Sequence, residues 1–460
     1  MTVAVLDIGK TNLKLLAITD GRVAGQRTAP NCSLPGPPYP HHDLAATEAW
    51  LIGALRELAA EHGIAAVVTT SHGSGGVLVD EAGPVLPMLD YEMPTPEGLA
   101  SAYAAVAPSY LERGSRHFGG MAHVGRQMFY QAEAFPEAFA RARHVLTLPQ
   151  YWAWRLSGVP AAEVTSLAAQ SHLWDVLNRR PSSLVAAMGW QHLLPPLRPA
   201  YAVLGPITPE IAAATGLPRG TPVLNGMHDS SANLYRYQAA GLADATLLST
   251  GTWLVGLDPR VAPERLIEER AMTLNADVEG RPVGGVVAMV GREIERIVQG
   301  KLVPIATADL EAVIAAGTMA LPSFVAMDGI FPSSGGRGRV VGPAPADATA
   351  RTALATLYAA LMAAACLDLL EASGTAIIDG GFTAQPLLPR LIAALRPDLT
   401  VLVEPAGGGT ALGAALLHEH ATRREPVPLT LTRAEPLELP GLAYYWERWQ
   451  AAVDRSPCAI

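Results

Sequence analysis

The sequence is poor in cysteine and in charge. Its three cysteines, Cys32, Cys366 and Cys458, lie far apart and form no CxxC pair. That excludes a disulfide framework and a cysteine-based zinc site, and it suits a reducing cytosol. Charged residues make up 16% of the 460, and the net charge of -9 comes without any long basic run, so nucleic acid is not an expected partner. No basic region precedes Val3–Leu6 and Asp7 arrives too early for a signal peptide. The longest uncharged segment, Thr352 to Leu367, is alanine-rich and shorter than the roughly 20 residues a bilayer needs. It is expected to be a buried helix of a soluble, cytoplasmic protein with no membrane partner. There is no GxxxxGK[ST] loop and no GxGxxG opening a helix, which disfavours P-loop and Rossmann nucleotide sites. Gly73-Ser74-Gly75-Gly76 follows a strand but lacks GxSxG spacing, because His72 takes the first glycine position; a serine hydrolase is disfavoured too.

What is present is apolar sequence, 50% of the residues, enough to bury large cores in a chain whose 460 residues suffice for two or three domains. Short apolar strands run into polar, glycine-bearing turns. The stretch richest in chemistry is Gly226-Met227-His228-Asp229-Ser230-Ser231-Ala232-Asn233. It follows a turn-rich run, 216–222, and the short strand Val223-Leu224-Asn225, so Asp229 is expected where a strand gives way to a helix. A carboxylate there can accept a ligand's proton; Asp is equally favoured as the N-cap of the next helix. At the N-terminus, strand Val3–Leu6, polar turn Asp7-Ile8-Gly9-Lys10-Thr11-Asn12 and strand Leu13–Ile18 are followed by an Asp20-Gly21 hairpin turn and a strand from Arg22 to Thr28. Gly9 lets backbone N–H groups approach a phosphate, and Asp7 could hold hydrated Mg²⁺ beside it. A hairpin with polar tips carries the same pattern.

A helix from Leu44 to His62 is expected to lead into strand Ala65–Thr70 and then His72. His72, Ser74, Asp90, Tyr91 and Glu92 are candidates for a hydroxyl-rich pocket, or else simply loop residues. Residues 100–200 are expected to be mostly helical, with their aromatics largely in the core. Gly119-Gly120-Met121, with His117 and His123, has no metal spacing and is expected to be a mobile loop.

After Asp229 a helix to about Gln238 and a boundary at Ala239-Ala240-Gly241 are expected. The opening pattern then returns as Ala245–Leu248, the turn Ser249-Thr250-Gly251-Thr252, and Trp253–Leu257. Two such units suggest a duplicated fold with a phosphate loop from each half. Val286–Val290 reads as strand leading into a turn, and Pro332–Gly342 as a solvated loop. Arg351 to Ser373 reads as a long helix. Strand Ala376–Ile378 opens into Asp379-Gly380-Gly381-Phe382-Thr383-Ala384-Gln385. Strand Thr400–Val403 opens into a glycine loop, Glu404 to Thr410, and a helix to His420. Strand–glycine loop–helix, twice over, lets backbone approach a nucleotide closely.

In this order and spacing the chain resembles the FGGY carbohydrate kinases over about residues 3–420. The resemblance rests on Asp7-Ile8-Gly9-Lys10-Thr11-Asn12-Leu13-Lys14, and on Tyr151-Trp152-Ala153-Trp154-Arg155-Leu156-Ser157-Gly158 followed by Glu163, Ser166, Ala168 and Asp175. It continues through Leu204-Gly205-Pro206-Ile207-Thr208 and Thr215–Val223 to Gly226 and Asp229. Ser249-Thr250-Gly251-Thr252, Asp379-Gly380-Gly381-Phe382 and Thr410-Ala411-Leu412-Gly413-Ala414-Ala415 complete it.

The resemblance implies an α/β fold of two actin-like, ribonuclease H-like domains with a cleft between them. Residues 1–238 would be the sugar-binding domain, 239–425 the nucleotide-binding domain and 426–460 a tail. It implies an ATP-dependent kinase acting on a primary hydroxyl of a ketose, with ATP and Mg²⁺ as cofactors, a small-molecule sugar as partner and a homodimer as the family-level expectation. A 6-deoxy-L-ketose such as L-rhamnulose or L-fuculose stands ahead of xylulose, ribulose or a polyol. An actin-like ATPase, or a nucleotide-gated binding protein without sugar transfer, is the reading from another class. Carried over residue by residue, Asp229 is the catalytic base and Asp7 the Mg²⁺ carboxylate. Gly9, Lys10, Thr11, Asn12 and Lys14 belong to one phosphate loop, and Thr250, Gly251 and Thr252 to the other. Gly380, Gly381 and Gln385 lie toward adenosine, and His72, Asp90, Glu92 and His228 join Asp229 toward the sugar.

The chain departs from the family at four places. Lys10 stands where many members have a small hydroxyl residue, so it either touches a phosphate or points away. His72 stands in a segment that often carries glutamine or glycine, and Asp90-Tyr91-Glu92 replaces a Trp-Asp-x-Arg type of segment. Gln385 replaces the asparagine or serine often found after the glycine pair. The first three leave the sugar's identity open.

Overall fold

The structure, a computed structural model, describes residues 1–404 and 408–454. Residues 405–407, inside the expected glycine loop Glu404–Thr410, and 455–460, which include Cys458, lie outside the described residues. The chain forms two units. The first comprises Met1–Gly241, Leu274–Pro282 and Gly408–Val427, and the second the remaining described residues.

In the first unit, β1 (Thr2–Ile8), β2 (Asn12–Thr19) and β3 (Arg22–Pro30) make an antiparallel meander. The apolar run of β1 is buried almost throughout, whereas β3 is exposed or half-exposed at every position, which fits a central and an edge strand respectively. Helix α1 (Leu44–Glu61) starts where the Asp43 carboxylate accepts the Ala46 N–H, and it returns the chain to β4 (Ile64–Ser71), parallel to β1. Helix α2 (Leu148–Ser157) buries Tyr151, Trp152 and Leu156 in the same core. Strands β5 (Val203–Pro206) and β6 (Pro222–Leu224) complete the order β5-β6-β4-β1-β2-β3, and β7 (Met227–His228) pairs with the end of β4. Helix α3 (Asp229–Ala239) packs on the helix Gly409–Ala415. Gly413 is required there, since a Cβ would lie 1.8 Å from the Ala232 carbonyl oxygen.

The expected mobile loop around Gly119 is packed instead. Met121 is fully buried, and His123 stacks on His172 with ring centroids 3.7 Å apart. Both imidazoles are held well below their usual pKa, by burial first and then by neighbouring cationic or imidazole groups. Ring packing that joins residues 49 positions apart, His123 and His172, leaves no local sequence signal.

The second unit repeats the layout. Strands β8 (Thr246–Thr250) and β9 (Leu254–Asp258) form an antiparallel hairpin, extended by β11 (Pro282–Ala288) and β10 (Met272–Ala276). The chain then runs through α4 (Val290–Val298), where a turn was expected, and through α5 (Ala348–Leu369). By length and composition α5 could cross a bilayer, but 83% of its apolar window is buried and it packs against α4 and the later α6 (Leu387–Leu395), so it serves as a core helix. Strand β12 (Thr375–Gly380) runs parallel to β8, and β13 (Thr400–Val403) parallel to β12. The sheet order is β10-β11-β9-β8-β12-β13-β14, with β14 at Thr432–Arg433. Both sheets thus place three antiparallel strands beside two parallel ones, the ribonuclease H-like arrangement twice.

The segment expected as a tail contributes to this second core. In α7 (Leu442–Asp454) the buried Trp449 donates from Nε1 to the Ala320 carbonyl at 2.7 Å, and the Tyr445 hydroxyl donates to the Thr318 carbonyl at 2.6 Å.

Candidate functional site

In the first unit, β1, β4 and β7 end side by side, because Asp7 is in register with Thr70, and Met227 and His228 with Thr70 and Ser71. Gly226 makes the last bend possible. Its φ is +77°, and a Cβ would lie 2.1 Å from the Thr69 carbonyl oxygen. The Gln150 amide donates to the carbonyls of Asn225 and Gly226 at 3.0 and 3.2 Å and fixes that bend from α2.

Asp229 is the first residue of α3, not its N-cap; the cap position is His228, which makes no side-chain capping bond. The Oδ1 of Asp229 accepts from the Ser230 N–H at 2.5 Å and the Ser230 hydroxyl at 3.1 Å, and lies 3.2 Å from His228 Nε2. The His228 N–H donates to the Thr165 hydroxyl oxygen at 3.0 Å, and that hydroxyl donates to Glu163 Oε2 at 2.7 Å. Glu163 is fully buried and caps its own short helix through the N–H groups of Thr165 and Ser166. The strand-to-helix junction that presents Asp229 is therefore anchored to a buried carboxylate 66 positions earlier.

Asp7 sits at the end of β1 opposite Lys14 in the register with β2. Burial raises its carboxyl pKa to about 6; Lys14 opposes that rise and Asp229 adds to it. Two carboxylates in one field, one of them destabilised when charged, are an arrangement that fits a cation. His72 and His228 are both held below the usual imidazole pKa, chiefly by burial, so they present neutral rings. His72 Nδ1 lies 2.5 Å from the Gly73 carbonyl oxygen, while its Nε2 is buried without a hydrogen-bond partner. A small pocket, with room for little more than a water, opens beside it, walled by Ser71, His72, Ser74, Thr147, Ser166 and His228 among others. The Ser166 hydroxyl and His228 Nδ1 are also buried and unpartnered. Such atoms call for a ligand or water.

Lys10 turns toward Asp90-Tyr91-Glu92. Its ammonium donates to Asp90 Oδ1, lies 3.8 Å from Glu92 Oε2, and stands 5.0 Å from the centroid of the Tyr91 ring. Asp90 also accepts from the Ser33 hydroxyl at 2.6 Å and the Glu92 N–H at 3.0 Å. Burial pushes its carboxyl up, but these donors together hold it down at about 2. The turn itself is closed by Gly9 N–H to the Asn12 carbonyl at 2.9 Å, and Asn31 clamps it through bonds to the Gly9 and Thr11 carbonyls.

In the second unit, Thr250 ends β8. Its hydroxyl donates to the Asp379 carbonyl at 2.7 Å and accepts the Phe382 N–H at 3.2 Å, tying the Thr250-Gly251-Thr252 turn to Gly380-Gly381. Gly380 has φ +98°, and a Cβ there would lie 2.0 Å from the Thr250 carbonyl oxygen. A Cβ on Gly291, in the first turn of α4, would lie 2.2 Å from the Gly251 carbonyl oxygen. The Gln385 side-chain oxygen accepts the Leu387 N–H at 3.3 Å, so it is engaged with the start of α6. Both carboxylate oxygens of Asp379 are buried without a hydrogen-bond partner.

Thus Asp7, Lys10, His72, Asp90, Glu92, His228 and Asp229 come together in one unit, and Thr250, Gly251, Gly380 and Gly381 in the other. Sequence reasoning did not single out Ser33, Asn31, Thr165, Gly291 or His42. The last is buried near His72, with both ring nitrogens unpartnered, and is held neutral with a pKa of about 4 by burial, His72 and Lys10. Nothing local in the sequence marks these residues, because each acts through a partner distant in the chain.

The chain is similar to known proteins. The chain is 28% identical over 265 residues to the L-xylulose/3-keto-L-gulonate kinase of Escherichia coli K12, covering 54% of this chain and 52% of that protein. It is 26% identical over 271 residues to the L-fuculokinase of Salmonella typhi, covering 55% of each. The matched region thus spans about half the length of these relatives. The crystal structure of a carbohydrate kinase from Novosphingobium aromaticivorans superposes with a TM-score of 0.87 at 32% identity, covering 99% of this chain and 98% of that one. The N-terminal domain profile of the FGGY family of carbohydrate kinases matches residues 2–235, and the C-terminal domain profile of carbohydrate kinase FGGY matches 242–426. The chain belongs to the FGGY family of carbohydrate kinases.

Proposed function

We propose that this chain is an ATP-dependent kinase that phosphorylates a primary hydroxyl of a ketose. The observation that carries the reading is Asp229, a carboxylate oriented through Oδ1 by Ser230 and His228 in the electrostatic field of Asp7 and His72. In this reading the sugar hydroxyl oxygen attacks the γ-phosphorus of ATP. The bond from that phosphorus to the β,γ-bridging oxygen breaks, ADP leaves, and the hydroxyl proton passes to Asp229. Mg²⁺, when bound, neutralises charge on the phosphates. Asp7 is the residue that would hold it, since a nearby cation relieves both its burial and the field of Asp229. Residues 1–238 would bind the sugar and 239–425 the nucleotide; the Gly9–Asn12 turn with Lys14, and the Thr250-Gly251-Thr252 turn, are the candidate phosphate contacts. Gly380 and Gly381 would leave room for adenosine. A cytoplasmic homodimer belongs to the same proposal as a family expectation.

The names of the two kinase relatives support a ketose. A 6-deoxy-L-ketose, L-fuculose or L-rhamnulose, comes first, ahead of xylulose, ribulose or a polyol. The test is ADP release from Mg-ATP against ketoses, aldoses and polyols, with a no-sugar control. One sugar raising the rate far above the control is the expected result. ADP release that no sugar alters, with ATP still bound, would replace this reading with an actin-like ATPase or a nucleotide-gated binding protein.

A further inference from the structure

The polar wall of the sugar-side cavity is unusual in its charge. No lysine or arginine is among the described residues that line it. The unpartnered polar atoms it presents, His72 Nε2, Ser166 Oγ and His228 Nδ1, belong to neutral groups. Beyond its wall, Asp229 and Lys10 act electrostatically on His72, Asp7 shares the field of Asp229, and Lys10 reaches Asp90 and Glu92. Of the ammonium groups near these carboxylates, Lys10 bonds Asp90 and approaches Glu92, while Lys14 is exposed and lies across the hairpin from Asp7. A hydroxyl-bearing ligand finds donors and acceptors here. A ligand carboxylate finds Lys10 already bound by Asp90 and several like charges, which disfavours it in a partly desolvated site.

We propose that the Lys10–Asp90 ion pair acts as a charge filter, so that this site takes uncharged ketoses or polyols and rejects sugar acids. The proposal rests on the kinase reading above and narrows its substrate class. Asp90 keeps the Lys10 ammonium occupied. Its bonds from Ser33 and the Glu92 N–H hold the carboxylate in place for that purpose. With the carboxylate neutralised, the Lys10 ammonium becomes available to a ligand's own carboxylate.

The test compares kcat/KM, by ADP release, for L-xylulose and L-fuculose against 3-keto-L-gulonate and D-gluconate. It uses wild type, Asp90→Asn, and Asp90→Asn combined with Lys10→Met. Wild type should favour the best neutral sugar over either acid by at least about tenfold. Asp90→Asn, which keeps an amide oxygen for Ser33 and Glu92, should raise the acid-to-neutral ratio about tenfold. Lys10→Met in that background should abolish the rise. Glu92→Gln, at a more exposed position, should raise the ratio less and serves if Asp90→Asn does not fold. Equal use of acid and neutral sugars by wild type, or an unchanged ratio in both carboxamide variants, overturns the filter. If no sugar stimulates ADP release at all, the kinase reading fails instead, and thermal stabilisation by the same sugars still decides the filter. Stabilisation by neutral sugars alone upholds it, and stabilisation by the acids, or by none of the sugars, overturns it.

Discussion

The two β-hairpin turns, Gly9–Asn12 and Thr250–Thr252, occupy the same place in the two repeated sheets but are built differently. The first is surrounded by ionisable side chains: Asp7 at its entry, Lys14 across the hairpin, and Lys10 reaching to Asp90. The second is surrounded by backbone, with Gly380 and Gly291 approaching carbonyl oxygens so closely that no side chain fits. A duplicated scaffold thus carries two different devices, one made by adding charge and the other by removing side chains. The first suits chemistry and its regulation by pH, and the second suits close backbone approach to a ligand.

This contrast can be broken at several points. The largest effect is expected from Asp229→Asn, which should lower kcat by about 10²–10⁴-fold while sugar and nucleotide still raise the melting temperature. Turnover like that of wild type would remove Asp229 from the role of base. Next, Gly380→Ala and Gly291→Ala should each weaken nucleotide binding by about tenfold, roughly 1.4 kcal/mol, in a titration with ADP, and should leave stabilisation by sugar unchanged. Unaltered ADP affinity would show that the second turn does not need its missing side chains.

Thr165→Val should be milder. It leaves the buried His228 N–H and Glu163 without their shared partner, at about 1–3 kcal/mol of stability. If Thr165 positions Asp229, Thr165→Ser should restore kcat as well as stability; recovery of stability alone would mark a purely structural role.

The smallest effect concerns Asp7. Its folded pKa, about 6, lies above the ordinary 3.8, so its protonated form is the one the fold favours. The stability it supplies is fully present below the ordinary value and is lost as pH rises through about 6. Asp7→Asn should therefore melt higher than wild type at pH 7.5, by about 2–4 °C, with the gain vanishing toward pH 4 and shrinking when Mg²⁺ is added. An equal gain at both pH values would contradict the burial of charge at this turn.

Much of the candidate site was legible in the sequence because its residues sit in short, locally spaced groups. Asp7 and Gly9 share one turn, His228 and Asp229 one junction, and Gly380 and Gly381 one strand end. Their neighbours were harder to see. Lys10 stood out as a departure, but its direction depends on Asp90, eighty positions away, and on Ser33 behind it. The Thr165–Glu163 anchor of His228 and the Asn31 clamp on the first turn are likewise long-range bonds with no periodicity to announce them. Helix α4 was missed because its strand-like start, Val286–Val290, runs straight into it, and only packing of Gly291 on the Gly251 turn fixes where the helix begins.

The sequence by itself determined the strand–turn–strand repeats, the glycines at their turns and the carboxylates at two strand ends. Those depend on local propensity and on alternation of apolar residues. Tertiary structure decided what each polar side chain faces. It sent Lys10 to a carboxylate, left His72, Ser166 and His228 with unpartnered atoms on one cavity, and packed Tyr445 and Trp449 into the second core. A side chain's partner is set by which distant backbone the fold brings within about 3 Å, and that distance is written nowhere in the local sequence.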